Sequence, residues 1–92
     1  MHRHPEPEQA VMKLRVLFFS VLRDITGADE IALELPAGST MADLLAQIES
    51  HWPKLREWQS SLLLALDQTY VKRDALLHDG GEVAIMPPVQ GG

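Results

Sequence analysis

Residues 39–53, Ser-Thr-Met-Ala-Asp-Leu-Leu-Ala-Gln-Ile-Glu-Ser-His-Trp-Pro, carry the pattern from which the fold is read. Met41, Leu44, Leu45, Ile48 and Trp52 recur at helical spacing as one apolar stripe, and Asp43, Gln47, Glu49 and Ser50 fall on the side facing water. Ser39 or Thr40 is the expected N-cap. Asp43 adds negative charge to the first turn, where the helix dipole favours it. Pro53 ends the run. One long helix with one apolar face must lie against another layer, and its flanks offer strands.

Upstream, Lys13 to Phe19 alternates, with Leu14, Val16 and Phe18 on one face and Lys13, Arg15, Leu17 and Phe19 on the other. Ser20 is placed to cap a short helix through Ile25, with Gly27 as its stop. Glu30 to Leu35 alternates again, Ile31, Leu33 and Leu35 inward and Glu30, Ala32 and Glu34 outward. The short connection predicts that these two strands pair antiparallel. Pro36 to Ser39 makes a turn into the long helix.

Downstream, Lys54 to Ser60 reads as a loop with Trp58 plugging the core. Ser61 to Leu66 is a predicted strand, Asp67-Gln68 a turn, and Thr69 to Lys72 a short strand. Asp79-Gly80-Gly81 turns into a last strand, Glu82 to Pro87, with Val83 and Ile85 on one face and Ala84 and Met86 on the other. Strands at both ends of the chain, wrapped on one long helix, predict an α+β domain of the β-grasp, ubiquitin-like kind. It has a mixed sheet of about five strands with one long and one short helix, the first and last strands parallel at the centre. The expected organisation is a disordered extension over residues 1–11, the domain over 12–87 and a flexible tail over 88–92. Met12 offers an alternative start, and His2 and His4 belong to a polar lead-in whose prolines oppose helix.

Ninety-two residues allow one small core. A domain this size buries only about 60–65% of its unfolded surface, which leaves little interior for a roomy active site and favours a carrier or binding module over an enzyme. With no cysteine, disulfides, zinc–thiolate sites and thiol nucleophiles are excluded. The formal charge of −5 argues against nucleic acid and for a basic protein partner. No apolar run is long enough for a membrane span, and no apolar leader is present, so a cytoplasmic protein is expected.

Catalytic groups are sparse. Ser20, Ser39, Ser60 and Ser61 lie at caps or loop edges, and neither His51, at the helix end, nor His78, in a loop before a turn, has one of these four close in sequence. Asp67, Asp74, Asp79 and Glu82 read as solvated turn residues, and no metal site or phosphate-binding glycine loop is evident. The chain end is the unusual feature. At a glycine frequency of about 7%, two terminal glycines arise by chance in roughly 0.5% of chains. Here Gly91 and Gly92 follow Pro87-Pro88 and a Val89-Gln90 stem: a stiff base with a slender tip, able to enter a narrow channel and present the Gly92 carboxyl. Phe19 and Met86 are expected on the sheet face away from the helix, joined by Tyr70 if Val71 points inward, as an apolar partner surface at the root of that tail.

Leu17-Phe18-Phe19-Ser20, Leu22-Arg23 and the ending Asp79-Gly-Gly-Glu-Val-Ala-Ile-Met-Pro-Pro-Val-Gln-Gly-Gly92 resemble the small, sulfur-carrying subunits of molybdopterin synthase. The resemblance covers Met12 to Gly92 and includes the Asp67-Gln68-Thr69-Tyr70-Val71 hairpin. Gly81, Asp67 and Met86 depart from the family's usual aspartate, asparagine and aromatic residue. The resemblance implies that a ubiquitin-activating-like adenylyltransferase adenylates Gly92 with ATP. A sulfur donor then makes the thiocarboxylate, and the charged carrier delivers sulfur to cyclic pyranopterin monophosphate within the large subunit, in a heterotetramer. It implies no cofactor on this chain and no catalysis by this chain alone. A sulfur carrier of thiamine biosynthesis, a ubiquitin-like modifier and a binding module with an inert tail are the competing readings.

Overall fold

The structure is a computed structural model that describes residues 10–88. The polar lead-in, with His2 and His4, and the Val89–Gly92 tip therefore lie outside the described residues.

The first strand, β1 (Val11–Phe18), buries Met12, Leu14, Val16 and Phe18, and its other face is open. It begins before the expected Lys13 and inside the expected 1–11 extension. Val11 pairs with Pro36, and the Ala37 N–H donates to the Ala10 carbonyl at 3.2 Å. Backbone pairing extends the strand here, and the polarity of the lead-in gives no sign of it. Helix α1 (Val21–Thr26) buries Leu22 and stops at Gly27, which takes a left-handed conformation at φ 77° and donates to the Arg23 carbonyl at 2.7 Å. Ser20 precedes it but makes no side-chain cap, because its backbone sits at φ 55°, ψ −131°, away from capping geometry. Strand β2 (Glu30–Pro36) runs antiparallel to β1, with Leu17 opposite Glu30 and Leu14 opposite Leu33. Leu35 is buried. Ile31 and Leu33 are only half-buried, because β2 is an edge strand.

Helix α2 (Met41–His51) starts at Thr40 in a reciprocal cap. The Asp43 N–H donates to Thr40 Oγ1 at 3.3 Å, and the Thr40 N–H donates to Asp43 Oδ2 at 2.9 Å. Its stripe of Met41, Leu44, Leu45 and Ile48 is buried against Leu14, Val16, Phe18, Val83 and Ile85 in one core. Trp52 meets the Phe18 ring edge-on with centroids 5.8 Å apart. Glu49, expected in water, is buried. The expected Lys54–Ser60 loop is instead a 3-10 helix, Pro53–Ser61, and Gln59 Nε2 donates to Glu49 Oε2 at 2.5 Å. Leu55 anchors that helix in the core, and Trp58 is half-buried against it, as expected of a plug.

Strand β3 (Leu63–Leu66) starts later than expected. It turns through Asp67 and Gln68, both at positive φ (51° and 70°), into β4 (Thr69–Tyr70), which ends earlier than expected. Two consecutive positive φ values give the turn a twist that suits a two-residue hairpin. Strand β5 (Glu82–Met86) buries Val83 and Ile85. The sheet order is β2-β1-β5-β3-β4, with β1 and β5 parallel and the other neighbours antiparallel. This is the β-grasp, a five-stranded mixed sheet folded around α2.

Candidate functional site

β5 lies between β1 and β3 and leads directly into Pro87 and Pro88, both half-buried, at the end of the described residues. Its alternation sends Ala84 and Met86 to the sheet face away from α2. The register supplies their neighbours. Leu17, Ala84, Ala65 and Tyr70 form one row across β1, β5, β3 and β4. Met86 pairs with Leu63 in the next row, and the Phe19 N–H donates to the Ile85 carbonyl at 3.3 Å, continuing the parallel ladder past β1 and placing Phe19 beside Met86. Phe19 is 42% exposed and Tyr70 71% exposed, while Leu17, Leu63, Ala84 and Met86 are half-buried. The three residues expected to line a partner surface thus share one apolar face at the root of the tail. Val71 packs against the core, the condition that turns Tyr70 outward. Leu17 and Leu63 complete the patch. Leu63 was not foreseen, because an all-apolar segment does not reveal which of its residues face the core; the β3–β5 register decides it.

At the patch rim Arg15 holds Glu30 through two hydrogen bonds, Nε to Oε2 at 2.9 Å and Nη2 to Oε1 at 3.1 Å. These bonds raise the guanidinium pKa further and hold the Glu30 carboxyl below its ordinary range.

A second cluster gathers at the start of β5. His78 Nε2 lies 2.5 Å from Asp67 Oδ2, and Nδ1 lies 3.0 Å from the Asp79 carbonyl. Asp67 Oδ1 also accepts from the Glu82 N–H at 3.1 Å, and Asp79 Oδ1 accepts from the Lys13 N–H at 2.7 Å. Asp67 and Asp79, read from sequence as merely solvated, therefore tie the β3–β4 turn and β1 to the base of β5. Both His78 ring nitrogens face acceptors, and only the protonated ring can donate to both. The hydrogen bond that His78 donates to Asp67 accordingly raises the His78 pKa, and the same bond lowers that of Asp67. With both nitrogens engaged the ring has none left to serve a serine as base. Eleven residues separate the partners, so spacing gave no signal of the pair.

His51 stays exposed at the C-terminal end of α2, its Nδ1 3.1 Å from the Gln47 carbonyl. Among the described residues no three His, Asp or Glu side chains converge as metal ligands, and no helix is long and apolar enough to cross a membrane. Gly91 and Gly92, with Val89 and Gln90, lie beyond the described residues.

The model of the ThiS family matches residues 16–92. A molybdopterin synthase sulfur carrier subunit of Chlamydomonas reinhardtii is 41% identical over 83 residues, covering 88% of this chain and all of the relative. A Pyrococcus furiosus structure described as a putative molybdopterin converting factor, subunit 1, superposes with a TM-score of 0.78 at 31% identity, covering 85% of this chain and 99% of that one. A Helicobacter pylori structure of subunits 1 and 2 of molybdopterin-converting factor in complex contains a chain matching at TM-score 0.64 and 26% identity, covering 88% of this chain and all of that one. With a β-grasp sheet, an apolar face at the C-terminal end of its last strand and these relatives, the chain belongs to the ThiS family, in the company of molybdopterin synthase sulfur carrier subunits.

Proposed function

We propose that this chain is the sulfur carrier of molybdopterin synthase and that the carboxyl of Gly92 is its working group. The observation that carries the reading is positional. The central strand β5 emerges between Phe19 and Leu63, and the family match continues from it through Gly92. A partner seated on the Phe19–Met86–Tyr70 face would receive Pro87, Pro88, Val89, Gln90, Gly91 and Gly92 directly into its own site. The large subunit of the synthase is that partner, in keeping with the Helicobacter pylori pair.

A carboxylate is a poor electrophile. In the proposed cycle the Gly92 carboxylate attacks the α-phosphorus of ATP on an adenylyltransferase, and pyrophosphate leaves. A sulfide-equivalent donor then adds to the acyl carbon and expels AMP, leaving a thiocarboxylate. That terminal sulfur is nucleophilic, which is how a chain without cysteine can deliver sulfur to cyclic pyranopterin monophosphate. The carrier binds no cofactor itself and is not a catalyst alone, and the cycle is placed in the cytoplasm.

The test is intact-mass spectrometry after incubation with the activating enzyme, ATP and a sulfur source. The parent should exchange one oxygen for sulfur, and a chain lacking Gly92 should not, with its circular dichroism unchanged. A thiocarboxylate on the Gly92-deleted chain would overturn the proposal.

A further inference from the structure

The sheet has a second exposed feature, at the edge opposite β4. Among the described residues the outer edge of β2 is unpaired in the sheet order. The β1–β2 ladder includes the bond from the Phe18 N–H to the Asp29 carbonyl and that from the Ala37 N–H to the Ala10 carbonyl. In an antiparallel pair such bonds recur at every second residue. Odd-numbered residues of β2 are therefore spent on β1, and the backbone groups of Glu30, Ala32 and Glu34 point outward. Immediately beneath this edge, between β2 and α2, lies an apolar slot of about 230 Å³ lined by Ile31, Ala32, Leu33, Ile48, His51 and Trp52. Half-buried Ile31 and Leu33 mark its floor.

We propose that this edge and slot bind an extended segment of a partner protein as a sixth strand, reading the pattern basic–apolar–any–apolar–basic. The pleat dictates the pattern. Partner residues opposite Glu34, Ala32 and Glu30 stand on the same face as those side chains, while the two between them, opposite Leu33 and Ile31, point into the slot. The neighbouring charges specify the flanks. Glu30 and Glu34 are exposed, and neither β2 nor α2 carries a lysine or arginine. The cations paired with or opposite these glutamates, Arg15 on Glu30 and Lys13 across from Glu34, are one strand inward on β1, and Arg23 is held by Asp29, so the charges carried by β2 itself are negative. The same charges disfavour a second copy of this chain. Two β2 edges paired antiparallel about Ala32 would set Glu30 opposite Glu34 twice, and directly opposed like charges destabilise a sheet. The binding mode is strand addition, in which backbone bonds supply affinity and alternate side chains supply selectivity.

The test uses the isotope-labelled full chain and a synthetic peptide, acetyl-Gly-Lys-Ile-Thr-Val-Lys-Gly-amide, followed by amide chemical shifts. The expected result is saturable movement of the amides of residues 30–35 and of the Trp52 indole, with Phe19, Met86 and Tyr70 unmoved. A peptide with proline for threonine loses the central donor and should not bind. One with glutamates for lysines should not bind either. Glu34→Lys, at an exposed position, should weaken the lysine peptide about fivefold. Equal binding of the proline peptide, a dissociation constant weaker than about 1 mM, or shifts confined to the Phe19 face would overturn the proposal. Concentration-dependent movement of the β2 amides without peptide would make a second copy the occupant and also overturn it. None of these readouts involves Gly92, so they stand apart from the sulfur-carrier reading.

Discussion

Replacing Phe19 by alanine removes a ring that is 42% exposed beside Met86 at the root of the C-terminal segment. An aromatic side chain can bury about 200 Å², so the share open to a partner is roughly 80 Å². At about 25 cal/mol/Å² that area corresponds to about 2 kcal/mol of binding, or roughly a 30-fold weaker dissociation constant for the large subunit. The covered share of the ring also contributes to folding, at an upper bound of about 3 kcal/mol. Calorimetric titration must therefore be run well below the unfolding transition of the variant. Leu45→Ala is the contrast. Leu45 is buried under α2, away from the open face. Its loss should cost about 2–5 kcal/mol of stability through lost burial and a cavity while leaving the dissociation constant within about twofold of the parent. If folded Phe19→Ala binds the large subunit as tightly as the parent, the docking face is elsewhere on the molecule.

Thr40→Ala removes the hydroxyl half of the α2 cap and should lower stability by about 1 kcal/mol, a melting shift of roughly 4–8 °C for a domain of this size. An unchanged melting temperature would show that the cap does not hold the helix start. The Asp67–His78 pair gives a pH signature. The folded pKa of His78 is raised, so its contribution is complete below the unfolded value near about 6.5 and fades as pH rises through the higher folded one. The folded pKa of Asp67 is lowered, so its contribution holds above about 3.9 and fades as pH falls through the lower folded value. The melting difference between parent and His78→Gln should thus be largest between about pH 4 and about pH 6.5 and shrink on the alkaline side. A difference that stays constant from about pH 5 to about pH 9 would show that the pair does not couple to folding. Met86→Ala should weaken the large subunit in the same titration as Phe19→Ala. Equal affinity would remove Met86 from the interface.

Local patterns carry far in this chain. The alternation of Leu14, Val16 and Phe18, the helical stripe from Met41 to Ile48 and the Val83–Ile85 pair each name a buried face, because side-chain direction follows backbone period whatever the rest of the chain does. Gly27 stops α1 where a left-handed residue is needed, and the succession of elements is enough to imply the β-grasp. The Pro-Pro-Val-Gln-Gly-Gly ending is likewise a property of sequence alone. What required the third dimension was every relation between distant segments. The β3–β5 register puts Leu63 beside Met86, the fold-back of Pro53–Ser61 buries Glu49 under Gln59, and pairing with Pro36 draws Val11 into β1. The Asp67–His78 contact and the slot between β2 and α2 arise in the same way. Neighbouring residues determine which way a side chain points, but pairing register and chain crossover determine what it meets. Those are set by the packing of the whole sheet on α2, which no single stretch of sequence encodes.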